Sequence, residues 1–168
     1  MKVLKKSKNI SFLVMDVDGT LTDGKIYMGV DGELLKCFDI KDGYGIANIL
    51  PRLGIVPIII TGRKSKILEQ RCAELKIEHV YQGISDKVSL LNELLKRFSA
   101  SLENVAYIGD DLNDIECMRI VGLSACPQNA VQEVQDIVDY CCKASGGDGA
   151  VREFIDYLKS VMQKGIES

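Results

Sequence analysis

Acidic residues are concentrated in two short segments, Asp16-Val17-Asp18-Gly19-Thr20 and Gly109-Asp110-Asp111-Leu112-Asn113-Asp114. Each segment follows an apolar run typical of a buried strand, and parallel strands would bring both to one edge of a sheet. Carboxylates gathered in this way repel one another unless a cation lies among them. Oxygen ligands without nitrogen or sulfur suit a hard ion, and a site completed by phosphate and water suits Mg²⁺.

Two further polar residues are expected at the same edge. Thr61, in Thr61-Gly62-Arg63, follows the second apolar run, and Lys87 opens the helix after the third. A threonine hydroxyl can donate a hydrogen bond to a phosphoryl group, and a lysine supplies positive charge to it. Each of these four features, the two acidic segments, Thr61 and Lys87, is by itself common on protein surfaces. Their occurrence in order, each at a predicted strand end, indicates phosphoryl-transfer chemistry with Mg²⁺ as cofactor.

The spacing of the first two carboxylates suits two different catalytic roles. Asp16 and Asp18 are two residues apart, so on an extended chain they face the same side. A nucleophilic carboxylate must be ionised, whereas a general acid must keep its proton near neutral pH. One carboxyl of the pair can therefore attack while the other transfers protons.

Alternating strands and helices position these residues. Strands are predicted at Ser11–Val17, Ile55–Ile60, His79–Gln82, Val105–Ile108, Leu123–Cys126 and Tyr140–Cys142. Helices are predicted at Gly43–Leu53, Ser65–Lys76, Asp86–Phe98, Asn113–Val121, Ala130–Val138 and Ala150–Met162. A hairpin over residues 25–38 turns at Asp31-Gly32, and a tail and helix occupy residues 145–162. The pattern predicts an α/β fold, a three-layer doubly wound parallel sheet with helices on both faces.

The composition is that of one domain spanning residues 1–168. Hydrophobic residues make up 46% of the chain, enough for one buried core. The net charge of −3 leaves no basic face for nucleic acid, and the basic cluster Lys2, Lys5, Lys6 and Lys8 is expected to be solvated. No apolar run approaches the roughly 20 residues that span a bilayer, and no signal peptide is recognisable. We expect a cytoplasmic protein without nucleic-acid or membrane partners.

The four segments together resemble the motifs of the haloacid dehalogenase-like phosphatases. Motif one resembles Asp16 to Thr20, motif two Thr61, motif three Lys87, and motif four Gly109 to Asp114. The resemblance implies that Asp16 attacks phosphorus and that Asp18 protonates the leaving alcohol and then activates water. It further implies that Asp16, the backbone carbonyl of Asp18, and Asp110 bind Mg²⁺. Asp111 and Asp114 would support the site, through metal-bound water or by fixing Lys87.

A narrower resemblance follows from the short gaps between the motifs, which leave no room for a cap domain. The chain is similar to the capless 3-deoxy-D-manno-octulosonate 8-phosphate phosphatases, to the phosphatase-like domains of acylneuraminate cytidylyltransferases, and to phosphatases of nine-carbon keto-sugar acids. Shared segments are Leu21-Thr22-Asp23-Gly24, the hairpin, Asp39 to Gly45, and Gly146 to Glu153. This resemblance implies a homotetramer in which hairpins pack together and a neighbour completes each active site. A hairpin that packs only on its own domain is the alternative.

Cationic residues are the candidates for binding the carboxylate of a sugar acid. The resemblance places Arg63 and Arg71 against that carboxylate, with Gly62 beside them, and arginine can bind a carboxylate at two points. Arg71 fits a solvated helix face equally well. Arg152 follows the glycine-rich tail and is expected to close over the site, with Gly146, Gly147 and Gly149 supplying backbone freedom.

Four functions are compatible with these features to different degrees. The first is a phosphatase of 3-deoxy-2-keto sugar acid phosphates with eight or nine carbons, and the second is a phosphatase of another small phosphometabolite. The third is a phosphatase-like tetramerisation module, against which the intact set of motif residues counts. The fourth is a signalling receiver domain, which places its phosphorylated aspartate mid-chain rather than at the end of the first strand.

Overall fold

The computed structural model describes residues 9–166, with side chains up to residue 163. The lysine cluster Lys2, Lys5, Lys6 and Lys8 lies outside the described residues. The strands are β1 Phe12–Met15, β2 Tyr27–Gly29, β3 Gly32–Leu35, β4 Val56–Thr61, β5 His79–Gln82, β6 Val105–Ile108, β7 Leu123–Cys126 and β8 Tyr140–Cys141. The α-helices are α1 Ile40–Tyr44, α2 Lys66–Glu74, α3 Lys87–Arg97, α4 Ile115–Ile120, α5 Gln132–Gln135 and α6 Ala150–Ile166.

Six of these strands form a parallel sheet in the order β5-β4-β1-β6-β7-β8. The strand β1 lies between β4 and β6, with Met15 level with Ile59 and Ile108. All carboxyl ends therefore point to one edge, and the reversal of strand order beside β1 is where a crevice for ligands is expected. The predicted doubly wound parallel sheet is confirmed.

Two apolar cores lie on opposite faces of the sheet, because successive side chains of a strand alternate. On one face Leu13 and Met15 of β1 pack with Phe154 of α6. On the other face Val14 packs with Leu91 and Leu94 of α3. The strand β1 is thus covered on both sides, which explains its uninterrupted apolar sequence and confirms the three layers.

The hairpin forms a separate two-stranded sheet of β2 and β3, and no cap domain is present between residues 9 and 166. Gly32 in its turn has φ +117, a conformation that other residues rarely adopt. Several of its apolar side chains are exposed, namely Ile26, Met28, Val30 and Leu34. The strands are shorter than predicted, so the hairpin ladder covers only residues 27–35 of the predicted 25–38.

Four of the predicted helices differ clearly in extent from those of the structure. The one predicted at Gly43–Leu53 begins earlier, because Asp39 caps it by accepting from the amide of Lys41 at 2.6 Å. It continues as a π turn over Gly45–Ile49 and a 3₁₀ turn over Leu50–Leu53, where Pro51 lacks the amide that an α-helix needs. The predicted Asn113–Val121 helix opens as a 3₁₀ turn, Leu112–Asp114.

The prediction of a helix over Ala130–Val138 was wrong in extent, since only one turn forms. The amide of Val131 donates to the carbonyl of Asp110, which ties this segment to the fourth motif rather than to a longer helix. The C-terminal helix is longer than predicted and runs to Ile166. Within residues 9–166, no helix combines the length and the apolar character needed to cross a membrane.

Candidate active site

The loop after β1 brings Asp16 to the carboxyl edge of the sheet. Asp16 is the first residue after β1, but its amide still donates to the carbonyl of Ile108 in β6. Its backbone is therefore fixed by a hydrogen bond to the neighbouring strand. The amides of Thr20, Leu21 and Thr22 all converge on the carbonyl of Val17 at 2.9–3.2 Å. The loop is consequently wound tightly, and Asp16 is only 5% exposed.

Lys87 joins the first and fourth motifs through its buried ammonium group. Its Nζ donates to Oδ1 of Asp16 at 2.9 Å and to Oδ1 of Asp114 at 2.8 Å. Lys87 is the first residue of α3, and Asp86 caps that helix by accepting from the amide of Ser89. The cap fixes where α3 begins, and thereby directs Lys87 into the acidic cluster.

Asp114 is saturated by donors from the protein. Its Oδ1 accepts from Lys87 and from the hydroxyl of Tyr107 at 2.6 Å, and its Oδ2 accepts from the amides of Asp110 and Asp111. A carboxylate with four donors has little capacity left for a cation. Two supporting roles are predicted for Asp114, binding a metal-bound water or holding Lys87 in place. The hydrogen bond from Lys87 to Asp114 agrees with the second. Tyr107, fully buried in β6, was missed because nothing in its sequence context distinguishes it from a core residue.

Asp110 faces Asp16 across the edge of the sheet. Its Oδ1 accepts from the Thr20 hydroxyl at 2.8 Å. Gly19 lies against the same carboxylate with φ +92, and a Cβ there would stand 2.0 Å from Oδ2 of Asp110. The glycine and threonine of the first motif therefore make room for Asp110 and orient it. Asp111 is exposed and caps the following turn by accepting from the amide of Leu112.

We call Asp16, Lys87, Asp110 and Asp114 the inner cluster. Carboxylate oxygens of its three acids all lie within 4.8 Å of one another. Burial, reinforced by the charge of Asp114, raises the pKa of Asp16 to about 6 although Lys87 opposes this. Burial also raises the pKa of Asp110 to about 7, against the hydrogen bond from Thr20. Burial would lower the pKa of Lys87, but Asp16 and Asp114 raise it above its usual value.

The charges of the inner cluster do not balance. When ionised, three carboxylates face one ammonium and leave an excess of two negative charges. Such an excess, carried by oxygen donors without nitrogen or sulfur, is what a hard divalent cation neutralises. Asp16 and Asp110 are the members that protein donors do not saturate, and they fit a metal site better than Asp114 does.

A cleft of about 160 Å³ opens beside the inner cluster. Among the predicted site residues, its lining includes Asp16 and Asp18 after the first strand and Thr61, Gly62 and Arg63 at the second, but neither Lys87 nor Asp110. The full lining comprises Asp16, Asp18, Thr61, Gly62, Arg63, Asp111 and Asn113. Thr61 is 2% exposed and ends β4, as expected from the apolar run before it. Asn113 was not predicted, although it stands within the fourth motif.

Asp18 belongs to a second group of charges that involves the hairpin. Lys36 donates to Oδ1 of Asp18 and lies 3.1 Å from Oε1 of Glu33. Arg63 approaches the same two acids, with nitrogen–oxygen distances of 3.8 Å to Asp18 and 3.5 Å to Glu33. We call Asp18, Glu33, Lys36 and Arg63 the outer cluster. Sequence reasoning missed Glu33 and Lys36, because their contacts reach from the hairpin to distant loops.

Arg71 and Arg152 do not line the cleft. The guanidinium of Arg71 lies 5.8 Å from the ring centre of Phe38, and it pairs with Glu74 at 2.8 Å. Arg152 pairs with Asp156 at 2.9 Å, and its guanidinium lies 5.5 Å from the ring centre of Tyr44. The structure therefore does not bring either arginine together with Asp16, and their substrate-binding roles remain predictions.

The glycine-rich tail packs against the loop of the first motif. The amide of Gly147 donates to the carbonyl of Thr20 at 3.2 Å, and a Cβ on Gly146 would meet the carbonyl oxygen of Gly19 at 1.8 Å. Close packing of the two backbones thus explains why residue 146 is glycine. Gly147 and Gly149 instead adopt positive φ, which other residues rarely do. The tail buttresses the motif in this arrangement rather than covering the cleft.

Comparison with known proteins agrees with this geometry. Residues 73–155 match the model of a family described as haloacid dehalogenase-like hydrolase. The 3-deoxy-D-manno-octulosonate 8-phosphate phosphatase of Escherichia coli K12 is 49% identical over 156 residues, which are 93% of this chain and 82% of that protein.

Solved structures extend the agreement to the backbone. The 3-deoxy-D-manno-octulosonate 8-phosphate phosphatase of Yersinia pestis has a TM-score of 0.92 and 44% identity, covering 98% of this chain and 89% of that one. The phosphatase of the same name from Moraxella catarrhalis, solved with magnesium, phosphate and KDO, has a TM-score of 0.92 and 36% identity, covering 99% of this chain and 95% of that one. The chain belongs to the haloacid dehalogenase-like phosphatases without a cap domain, and it is a phosphoric monoester hydrolase.

Proposed function

We propose that this chain hydrolyses the phosphomonoester of a 3-deoxy-2-keto sugar acid through an aspartyl-phosphate on Asp16. The observation that carries the proposal is the placement of Asp16, which is buried, bound to Lys87 and open to the cleft that Thr61 and Arg63 line. The eight-carbon 3-deoxy-D-manno-octulosonate 8-phosphate is the first candidate, because relatives of 49% and 44% identity carry its name. A nine-carbon 9-phosphate of the sialic acid type is the alternative.

Mg²⁺ fits the inner cluster, with Asp16, Asp110 and the backbone carbonyl of Asp18 as its ligands. The support is the excess of two negative charges and the unsaturated state of Asp16 and Asp110. The Moraxella catarrhalis relative was solved with magnesium and phosphate. When bound, the ion would let the nucleophile and the phosphoryl group approach and would stabilise charge on the phosphoryl oxygens.

The side chains of the cleft can perform two successive displacements. In the first, a carboxylate oxygen of Asp16 attacks phosphorus, the phosphorus–oxygen bond to the sugar breaks, and the alkoxide takes a proton from Asp18. In the second, Asp18 takes a proton from water, whose oxygen attacks phosphorus and displaces Asp16. Thr61 and Lys87 would bind the phosphoryl oxygens during both displacements.

Arg63 is the best-supported residue for recognising the substrate carboxylate. Its Nη1 is buried but has no hydrogen-bond partner within the described part of the chain, since the 3.8 Å to Asp18 is too long. A buried donor without a partner costs free energy, and a carboxylate entering the cleft would satisfy it. Gly62 lets substrate approach the backbone there. Arg71 and Arg152 would have to leave their present partners to contribute.

The hairpin supports a homotetramer in which neighbours complete the active sites. Its apolar side chains are exposed in the single chain, with Met28 63% and Leu34 65% accessible, and a contiguous exposed patch is typical of an interface. The active site, with no cap above it, would also gain walls from a neighbour. We further propose that residues 1–168 act as one domain and that the protein works in the cytoplasm.

Phosphate release measured with and without Mg²⁺ tests the proposal. The substrates are eight-carbon and nine-carbon keto-sugar acid phosphates, simple sugar phosphates and 4-nitrophenyl phosphate, with Asp16→Asn as control. Mg²⁺-dependent release from one sugar acid, lost in the variant, is the expected result and names the substrate. Preference for another phosphate would contradict the substrate assignment alone. No release from any of them by the folded oligomer would favour a tetramerisation module.

A further inference from the structure

The hairpin contributes two charged side chains to the cleft of its own chain. Lys36 follows β3, and its side chain is only 3% exposed although the hairpin itself is largely solvent-accessible. A lysine is rarely buried to this degree unless its charge is paired. Here the ammonium lies between the carboxylates of Asp18 and Glu33.

Glu33 holds Lys36 in this position. It accepts a hydrogen bond from the hydroxyl of Ser65, the residue that caps α2, and it also lies near Arg63. The contacts run without a gap from the body of the protein through Ser65, Glu33 and Lys36 to Asp18. The set is only partly buried, but removing one charged member leaves its partners with fewer hydrogen bonds, so the set constrains all of its members.

We infer that Lys36 is a positioning residue that orients the Asp18 carboxyl group toward the leaving oxygen of the substrate. Asp18 lines the cleft, and Lys36 engages its Oδ1, so that Oδ2, 3.8 Å from Nη1 of Arg63, is the oxygen left without a hydrogen bond from Lys36. Proton transfer requires the acid to stand within hydrogen-bond reach of the leaving oxygen, so a fixed rotamer of Asp18 favours catalysis. The inference rests on the proposed function, because it assumes that Asp18 is the general acid.

A leaving-group comparison separates this role from a purely structural one. An alcohol leaves poorly unless it is protonated, whereas 4-nitrophenolate leaves without help from an acid. For Lys36→Met we expect kcat/KM, which reports the first displacement alone, to fall about 30-fold on a sugar phosphate, which is less than the effect of losing the acid itself. On 4-nitrophenyl phosphate we expect kcat/KM to fall less than about 3-fold. A side chain that merely holds the hairpin would lower both rates alike. Lys36→Arg, which retains a charged donor, should recover part of the sugar phosphate rate.

Two further variants make the test specific. In an Asp18→Asn background, Lys36→Met should cause no additional loss on the sugar phosphate, because it acts through Asp18. Lys25→Met is the matched control, since Lys25 belongs to the same hairpin region but its side chain is 74% exposed. If Lys36→Met does not fold, Glu33→Gln keeps a partner for Ser65 and should show the same selectivity to a smaller degree.

Each result has a defined meaning. Equal losses on both substrates, or additive losses in the double variant, would overturn the positioning role and leave the proposed function intact. A wild-type protein that releases phosphate from neither substrate with Mg²⁺ would overturn the proposed function, and the inference with it. Loss on the sugar phosphate alone, absent in the Asp18→Asn background, is the expected result.

Discussion

The inner and outer clusters both contribute residues to one cleft but neutralise their charges differently. In the inner cluster three carboxylates face one ammonium, whereas in the outer cluster Asp18 and Glu33 face Lys36 and Arg63 in equal number. The inner cluster therefore requires an added cation, while the outer cluster is complete without one. In the proposed mechanism, the inner cluster accordingly binds metal and the phosphoryl group, and the outer cluster positions the acid and the substrate.

Replacing Lys87 should produce the largest effect, because it removes the only positive charge of the inner cluster. For Lys87→Met we expect phosphatase activity to fall about 1,000-fold, as for loss of a group that stabilises transition-state charge. Breaking a buried ion pair should also lower the free energy of unfolding by about 3–5 kcal/mol in the absence of metal. Steady-state kinetics and urea denaturation measure these two effects. Activity within tenfold of wild type would contradict the role assigned to Lys87.

The raised pKa of Asp110 predicts how the stability of the metal-free protein depends on pH. Asp110 has a folded pKa of about 7, above its unfolded value of about 4, so its protonated form favours the fold. Its contribution to metal-free stability is therefore most favourable below pH 4 and is lost as pH rises to 7. In Asp110→Asn this loss should disappear, so the variant should exceed wild type in free energy of unfolding by up to about 4 kcal/mol at pH 8 in EDTA.

Added Mg²⁺ should make wild type more stable than Asp110→Asn at pH 8, the reverse of the order expected in EDTA. Thermal melts at pH 8 should show wild type stabilised by the ion and Asp110→Asn unaffected by it, because the variant lacks a ligand. At pH 5 the ion should stabilise neither protein, since protonated carboxyls do not bind it. Equal stabilisation of both proteins by Mg²⁺ would place the ion elsewhere.

Removing the hydroxyl of Tyr107 should have the smallest effect of the series. Tyr107→Phe deletes one of four donors to Asp114 and leaves its other partners in place. We expect a loss of about 1 kcal/mol in the free energy of unfolding and a decrease in activity of less than about tenfold. The Tyr81→Phe variant is a matched control, because Tyr81 lies on β5 at the edge of the same sheet and is partly exposed. A loss as large as that of Lys87→Met would mean that Asp114 depends on Tyr107 alone.

The inner cluster could be predicted from sequence because it depends on local rules. Buried strands appear in the sequence as apolar runs, and parallel strands end at one edge of the sheet. Asp16 directly follows such a run, and Asp110 comes two residues after another. Lys87 begins the helix that Asp86 caps, so its position also follows from nearby residues. These residues lie at the ends of regular elements, whose positions depend on short stretches of sequence.

The outer cluster could not be predicted because it depends on tertiary contacts. Glu33 and Lys36 meet Ser65 and Asp18 only once the hairpin folds back over the sheet edge, and no periodicity encodes that direction. The same limit applies to Arg71 and Arg152, whose contacts with neighbouring side chains could not be predicted from the sequence. Arg71 packs on Phe38 and Arg152 near Tyr44, contacts that sequence spacing does not reveal.

Trapping the phosphorylated residue tests the central claim most directly. Asp18→Asn is mixed with 4-nitrophenyl phosphate and Mg²⁺ and quenched in acid, and the chain is reduced with borohydride and mapped by mass spectrometry. In the proposed mechanism Asp18 activates water, so the acyl phosphate should accumulate and reduction should convert Asp16 alone to homoserine. The wild type should show less of this product, and a chain that also carries Asp16→Asn should show none. Turnover of 4-nitrophenyl phosphate without modification of Asp16, or modification of a different residue, would contradict the account.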